Sequence, residues 1–296
     1  MSIVNDIRTA FSRRDNALNQ LLLINVLVFA VLILIRAIFY FTGIGLYDDI
    51  LRFIALPSNP VALMYRPWTV LTYAFVHEGF LHILFNLLNL YWFGSLVREY
   101  LGDRKLVNLY ILGALAGAFL FVLSYSFVPV LQHAPATIVL GASGAVMAVI
   151  VGAATLLPDY TFNLIFIGPV KIKYIALAVV LISLAGVDGG NTGGEIAHIG
   201  GAMLGFLYVR QLQRGRDLGR PVQAVGDWVG ALLSGRPRLR VTHRSRPAED
   251  TTAPRKGKLV KPEQEEIDLI LDKISRSGYE SLSKEEKQKL FRASQK

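Results

Sequence analysis

Ser143 stands in VLGASGAVMAVIVGAATLL, a stretch apolar enough for lipid, between two small Gly-Ala pairs. A hydroxyl there is either a packing group, since small residues let membrane helices approach closely, or a nucleophile at the start of a helix. His198 opens a second such stretch, EIAHIGGAMLG, and an imidazole at the same depth would accept a serine proton. His82 and Asn86 lie four apart in FLHILFNLLNL and so share one helix face. Hydrogen-bond donors of that kind stabilise an oxyanion, with Asn89 extending the polar face. Taken alone, each group has a plainer use in interhelical hydrogen bonding. Taken together, three of the five histidines in the chain fall in these patches, and they specify covalent catalysis by a serine.

The helix start suits that chemistry. Free backbone N–H groups at a helix N-terminus face developing negative charge, whereas mid-span offers none. Gly201 and Gly205 lie four apart after His198, and Gly141, Ala142, Gly144 and Ala145 form a small face around Ser143. If those faces meet, Ser143 and His198 come to similar depth. Glu195, three before His198, and Asp188 are the acidic candidates for a third member, but a Ser143/His198 dyad is the leaner arrangement. HEGFLH does not carry the zinc spacing HExxH, because His77 and His82 are five apart. No metal and no cofactor is expected.

The elements that must position these groups are membrane helices. Apolar residues make up 53% of 296, charged residues only 18%, and mean hydropathy is +0.43. An all-α membrane protein is predicted, with spans near 20–42, 79–97, 106–128, 141–157, 163–185 and 195–211, each close to the roughly 20 residues a bilayer requires. The absence of cysteine excludes disulfides and thiol chemistry. Ile3, Val4, Ile7 and Phe11 recur at helical spacing, suggesting a short surface helix in 1–19, and the first span reads as an uncleaved anchor.

Lys and Arg gather before span one, between spans two and three, between spans four and five, and after span six, while 129–140 and 186–194 hold none. Both termini are therefore expected in the cytoplasm, with the Ser143 end of span four toward the outer side. The loop 43–78, with Pro57, Pro60 and Pro67, is apolar enough to dip into the membrane. Within PDYTFNLIFIGPVKIKYIAL, the first half reads as interfacial and the second as the start of span five.

Residues 210–296 carry 20 Lys and Arg against 12 Asp and Glu. The piece 212–262 reads as a basic linker without order, its arginines favouring anionic lipid; charge beside a membrane is a simpler account than nucleic acid. In 263–296, Ile267, Ile270, Leu271 and Ile274 mark one helix face. Gly278 marks its end, and Ser283 with Glu286 forms a capping box for a second helix. This small cytoplasmic hairpin needs a partner that the sequence does not name.

HILFNLL, GASGA and AHIGGAMLG, in that order on successive even-numbered spans, resemble the rhomboid intramembrane serine proteases. The resemblance covers roughly 20–211. It implies a six-transmembrane-helix rhomboid-like bundle, here with a cytoplasmic C-terminal extension, and hydrolysis of peptide bonds in or near transmembrane segments of membrane-protein substrates. It assigns Ser143 as nucleophile and His198 as base. His82 and Asn86, with the Ser143 N–H, would form the oxyanion hole; Gly141 belongs to the serine motif, and Gly201 and Gly205 pack the helices. Two places depart from the family pattern. Trp68 is followed by Thr69, with Arg66 earlier, where a Trp-Arg pair is common, and Met147 stands where an aromatic often stacks on the histidine. The location implied is an integral, multi-pass one, in a bacterial inner (plasma) membrane. Two other readings compete: a noncatalytic rhomboid-like protein that binds membrane clients, and a small transporter, though spans two to six hold no deep charge.

Overall fold

In the computed structural model, residues 16–134, 137–164, 167–234 and 262–294 are described. In chain order the first compact unit contains α1 (Ala17–Thr42), α2 (Tyr47–Ile54), β1 (Leu56–Pro57), α3 (Pro60–Tyr65), α4 (Thr69–Thr72) and a 3-10 turn (Tyr73–Phe75). Then come α5 (Phe80–Leu101), α6 (Asp103–Phe127), α7 (Pro129–Gln132), β2 (Ile138–Val139) and α8 (Ser143–Leu156). β3 (Thr161–Leu164), β4 (Gly168–Lys171), α9 (Ile172–Ala185), α10 (Thr192–Gln213) and α11 (Arg220–Ser234) follow. The chain is mostly helical, but two antiparallel strand pairs depart from the all-α expectation.

Among the described residues, three helices, α1, α5 and α6, are long and apolar enough to cross a membrane. Their lipid-side character shows in α1, which leaves Val31, Leu34, Ile38 and Phe41 exposed; a helix apolar all round must be covered by something other than water. α8 and α9 have 14 residues each. Such a helix is about 21 Å long, shorter than a hydrocarbon core of about 30 Å. The fifth span was expected from 163, but helix starts only at Ile172. Residues 161–164 pair antiparallel with 168–171, Thr161 with Lys171 and Leu164 with Gly168. Gly168 takes φ +88°, and Pro169 cannot supply a helical N–H. Asp159 beside this strand pair receives bonds from Lys173 and Lys171, 2.9 Å each, which hold its carboxyl down to about 2.

α8 is the centre of the bundle. Ten of its 14 residues are buried, and it packs against α5, α6 and α10. The helices meet through backbone. A Cβ on Gly201 of α10 would stand 1.9 Å from the Gly144 carbonyl oxygen, and one on Gly205 would stand 2.3 Å from that of Ala148. On the α6 side, a Cβ on Gly113 would lie 2.4 Å from the Ala148 Cβ. The small faces read from sequence thus meet without room for one methyl group.

The loop between α1 and α5 is folded against this bundle. Near the end of α2, three carbonyls lack helical partners, and side chains supply them: Arg66 bonds to Arg52 O, Trp68 Nε1 donates to Phe53 O at 2.8 Å, and Thr72 Oγ1 donates to Ile54 O at 2.6 Å. Arg66, two residues before Trp68, therefore does shape the loop. β1 pairs with β2, Leu56 opposite Val139, with Ser58 N–H donating to Thr137 O at 2.9 Å. Deeper in, Tyr73 OH donates to Ala114 O at 2.7 Å and Tyr110 OH to Ala74 O at 2.8 Å.

At the far end of α10, Asp217 pairs with Lys105 and accepts from Tyr208 OH at 3.2 Å and from Gly219 N–H at 2.9 Å. Burial works against its charge, yet the Lys105 and Gly219 bonds hold the carboxyl below its ordinary range. Within the expected linker 212–262, residues 220–234 are helical instead. Val222, Val225, Val229 and Leu232 give α11 an apolar stripe that the Arg-, Gly- and Pro-rich average conceals. Residues 1–15, which include the expected surface-helix positions, and 235–261 lie outside the described residues, as does Pro135.

The second unit has α12 (Pro262–Ser277), a 3-10 turn (Tyr279–Ser281) and α13 (Lys284–Ser294). Gly278 takes φ +77° between them. The capping box forms: Ser283 N–H donates to Glu286 Oε2 at 2.7 Å and Glu286 N–H to Ser283 Oγ at 3.2 Å. The bond from Ser283 N–H, then Lys273 at 2.9 Å, keeps the Glu286 carboxyl below its usual value.

Two outcomes are expected. Gly201→Ala should destabilise the bundle by at least the roughly 1–3 kcal/mol typical of overpacking, read as loss of thermal stability in detergent. Asp217→Ala should cost about 1–3 kcal/mol, as for a hydrogen-bonded charge. Because the Asp217 carboxyl is depressed, that difference should be full above the ordinary aspartate range and vanish as pH falls through the folded-state value; unfolding of both proteins across acidic pH checks it.

Candidate active site

A cavity of about 710 Å³ opens among α5, α8, α9 and α10. Ser143, His198, His82 and Asn86 all line it, and so do Asn89 and Glu195. The four expected site residues therefore reach one space from three helices. Ser143 is the first residue of α8, His82 and Asn86 lie in the first two turns of α5, and His198 lies in the second turn of α10. Met147, one turn after the serine, lines the same space and is buried.

The segment entering α8 is held from both sides. Gly141 N–H donates to Tyr73 O at 2.9 Å, and Ala142 N–H donates to His77 Nε2 at 3.3 Å. Gly141 has φ +125°, which disfavours any side chain. A Cβ there would also stand 2.9 Å from His82 Nε2 and 3.6 Å from Ser143 Oγ. The His82 ring thus lies against the Gly141 backbone, beside the serine hydroxyl. Its other neighbour is His77, edge-on with ring centroids 5.1 Å apart.

Donors converge on the same volume. Ser143 N–H, in the first turn of α8, donates to no acceptor among the described residues. Asn86 commits one amide hydrogen to His82 O, at 2.9 Å, and retains the second. Asn89 bonds likewise to Phe85 O at 2.8 Å. An N–H from the α8 terminus and side-chain donors from α5 are the parts an oxyanion hole requires.

Around His198 the sequence was less informative. Glu195 places Oε2 3.0 Å from His198 Nδ1, a contact its i, i+3 spacing allowed. Ser183, near the end of α9, places Oγ 3.0 Å from the same nitrogen, and no local pattern pointed to it. Asp188 is exposed and does not line the cavity. His77 was also missed as a support for the serine loop. Its five-residue spacing from His82 excludes one shared helix face, but Gly79 precedes α5, so the chain turns between them.

This constellation on a helical membrane bundle defines a class, and comparison with known proteins agrees: the Rhomboid domain model matches residues 65–214, and the chain belongs to the rhomboid family. Three relatives illustrate the range. RHOMBOID-like protein 12, mitochondrial, of Arabidopsis thaliana is 29% identical over 161 residues, 51% of this chain and 48% of that protein. Rhomboid protein 1, mitochondrial, of Saccharomyces cerevisiae is 32% identical over 161 residues, 52% of this chain and 45% of that one. Rhomboid protease GlpG of Klebsiella pneumoniae is 31% identical over 90 residues, 30% of this chain and 32% of that protein. The chain thus spans about half or less of these relatives' lengths. Residues 261–296 match a family of unknown function, DUF6576.

Replacing His77 by Ala would strand the buried Ala142 N–H, at a cost of about 1–3 kcal/mol. Thermal unfolding of His77→Ala should show that loss, whereas His77→Gln, which restores an acceptor, should recover part of it.

Proposed function

We propose that this protein is an intramembrane serine endopeptidase, with Ser143 as nucleophile and His198 as general base. The observation that supports it most is the single cavity reached by Ser143, His198, His82 and Asn86 from three helices. In the proposed reaction, Ser143 Oγ attacks a substrate carbonyl carbon while its proton passes to His198 Nε2. The negative oxygen of the tetrahedral intermediate accepts hydrogen bonds from Ser143 N–H and from the side chains of His82 and Asn86. Its collapse breaks the C–N bond, and His198 returns the proton to the departing amine. Water then repeats the sequence on the acyl-enzyme, releasing the new carboxylate.

The short helix supports a site below the membrane surface. A helix of about 21 Å is shorter than the hydrocarbon core, so at least one of its ends lies within it, and the end that carries a polar cavity is the serine end. Irregular backbone at that depth is tolerated where it lines such a cavity. The substrates proposed are transmembrane proteins. A helix hides its carbonyls, so helix-breaking residues near the cleaved bond are expected in them.

Six spans with both termini cytoplasmic, in a bacterial plasma membrane, complete the proposal. The Lys and Arg pattern supports the orientation, and anionic lipid against the tail follows from the same charges.

The test is labelling by a fluorophosphonate probe, together with cleavage of a transmembrane substrate in proteoliposomes. Labelling is expected on Ser143 and absent in Ser143→Ala. Cleavage should fall by about 10³-fold or more in Ser143→Ala and His198→Ala, the scale at which a lost triad member is felt in other serine hydrolases. Undiminished cleavage by Ser143→Ala would overturn the assignment and leave a noncatalytic, client-binding protein.

A further inference from the structure

Two groups approach His198 Nδ1 at once, and they make opposite demands on the ring. Glu195 Oε2 and Ser183 Oγ are each 3.0 Å away. Both are inside the fold: the Glu195 side chain keeps 19% of its exposure and Ser183 only 4%. A carboxylate only accepts, so a bond to Glu195 requires the ring proton on Nδ1. A hydroxyl either accepts or donates, and a donating Ser183 would require a lone pair on Nδ1, with the proton on Nε2. Only the first tautomer leaves Nε2 free to take a proton from an alcohol.

The carboxylate wins this contest while it is present. Hydrogen bonds to an ionised acceptor are roughly twice as strong as neutral ones, and Glu195 lies in the first turn of α10, where a negative charge is favoured. Its position is confined, because a Cβ on Gly186 would lie 3.2 Å from Glu195 Cδ. Ser183 then accepts a share of the same N–H.

We propose that Glu195 is a positioning residue that holds His198 in its base-competent tautomer, and that Ser183 inverts the tautomer once the carboxylate is gone. The inference rests on the Ser143/His198 reading for its catalytic consequence, but the tautomer itself is observable without catalysis. With Glu195 removed, the Ser183 hydroxyl becomes the only close partner of Nδ1 among the described residues. It would donate to that nitrogen and drive the proton to Nε2, where it blocks attack. Deleting Ser183 as well would release the ring to sample both tautomers.

The predicted signature is a rescue by a second deletion. Ser183→Ala should lower kcat by about 5-fold at most, the fold-change that corresponds to a typical neutral hydrogen bond. Glu195→Ala should lower kcat by about 10²-fold or more, the direction known for wrong-tautomer variants of other triads, with KM little changed. The double variant should regain about 10-fold over Glu195→Ala. In parallel, ¹⁵N-histidine NMR in a Ser143→Ala background should show His198 protonated on Nδ1 in the parent. Glu195→Ala should move the proton to Nε2, and the double variant should show both forms. Glu195→Met, similar in volume and lacking an acceptor oxygen, carries the same expectation and serves if the alanine variant does not fold. A double variant no faster than Glu195→Ala, or an unchanged tautomer in the Glu195 variants, overturns the proposal. If the NMR series holds while the protein neither labels nor cleaves, the tautomer control stands and the protease reading falls.

Discussion

The Gly144 carbonyl and the Gly201 Cα face share a gap with no room for a methyl group, and the arrangement of the cavity depends on that approach. A Cβ at position 201 would meet the Gly144 oxygen at 1.9 Å. In lipid, where hydrophobic burial gives helices little reason to associate, close backbone packing supplies much of the attraction. The same contact carries α10 against α8 near their beginnings, so the alcohol that opens one and the imidazole early in the other line the same space. Gly205 repeats the contact a turn further on and fixes the crossing. The site is a by-product of packing at the end where the two helices carry Ser143 and His198.

Packing alone would leave the serine on a loose loop. The segment 137–142 is instead tied at several points to chain more than sixty residues earlier: β1 to β2, Ser58 to Thr137, Tyr73 to Gly141 and His77 to Ala142. Each tie satisfies a backbone group that would otherwise be costly in a nonaqueous setting. Arg66, Trp68 and Thr72 do the same for the end of α2. The loop between α1 and α5 thus acts as a scaffold for the start of α8, and Arg66, Trp68 and Thr72 bond to carbonyls of the loop itself.

α8 being short has its own consequence. Its neighbours α5 and α6 run 22 and 25 residues, while α8 stops at 14. The cavity opens along the first half of this short central helix, past Ser143, Val146, Met147 and Ile150. Unpaired N–H groups at the start of a helix would be a liability facing lipid. Facing a cavity lined by His82 and Asn86, the Ser143 N–H instead meets a polar space.

Much of this was legible in the residues by themselves. Runs of apolar side chains show helices whatever surrounds them, because helical hydrogen bonds are local; five of the six expected long helices begin and end within a few residues of their places, and the Ser283–Glu286 cap closes within one turn. The glycine spacing likewise announced which faces would touch. The tertiary structure decided what depends on distant partners. Residues 161–164 and 168–171, read in part as helix, pair with each other as strands, and α11 shows an apolar stripe inside a stretch whose average composition reads as unstructured. Ser183 and Glu195 meet at one nitrogen only because α9 and α10 lie side by side. No period in a single chain segment encodes such a meeting, since two residues on different helices become neighbours only after the backbone has packed.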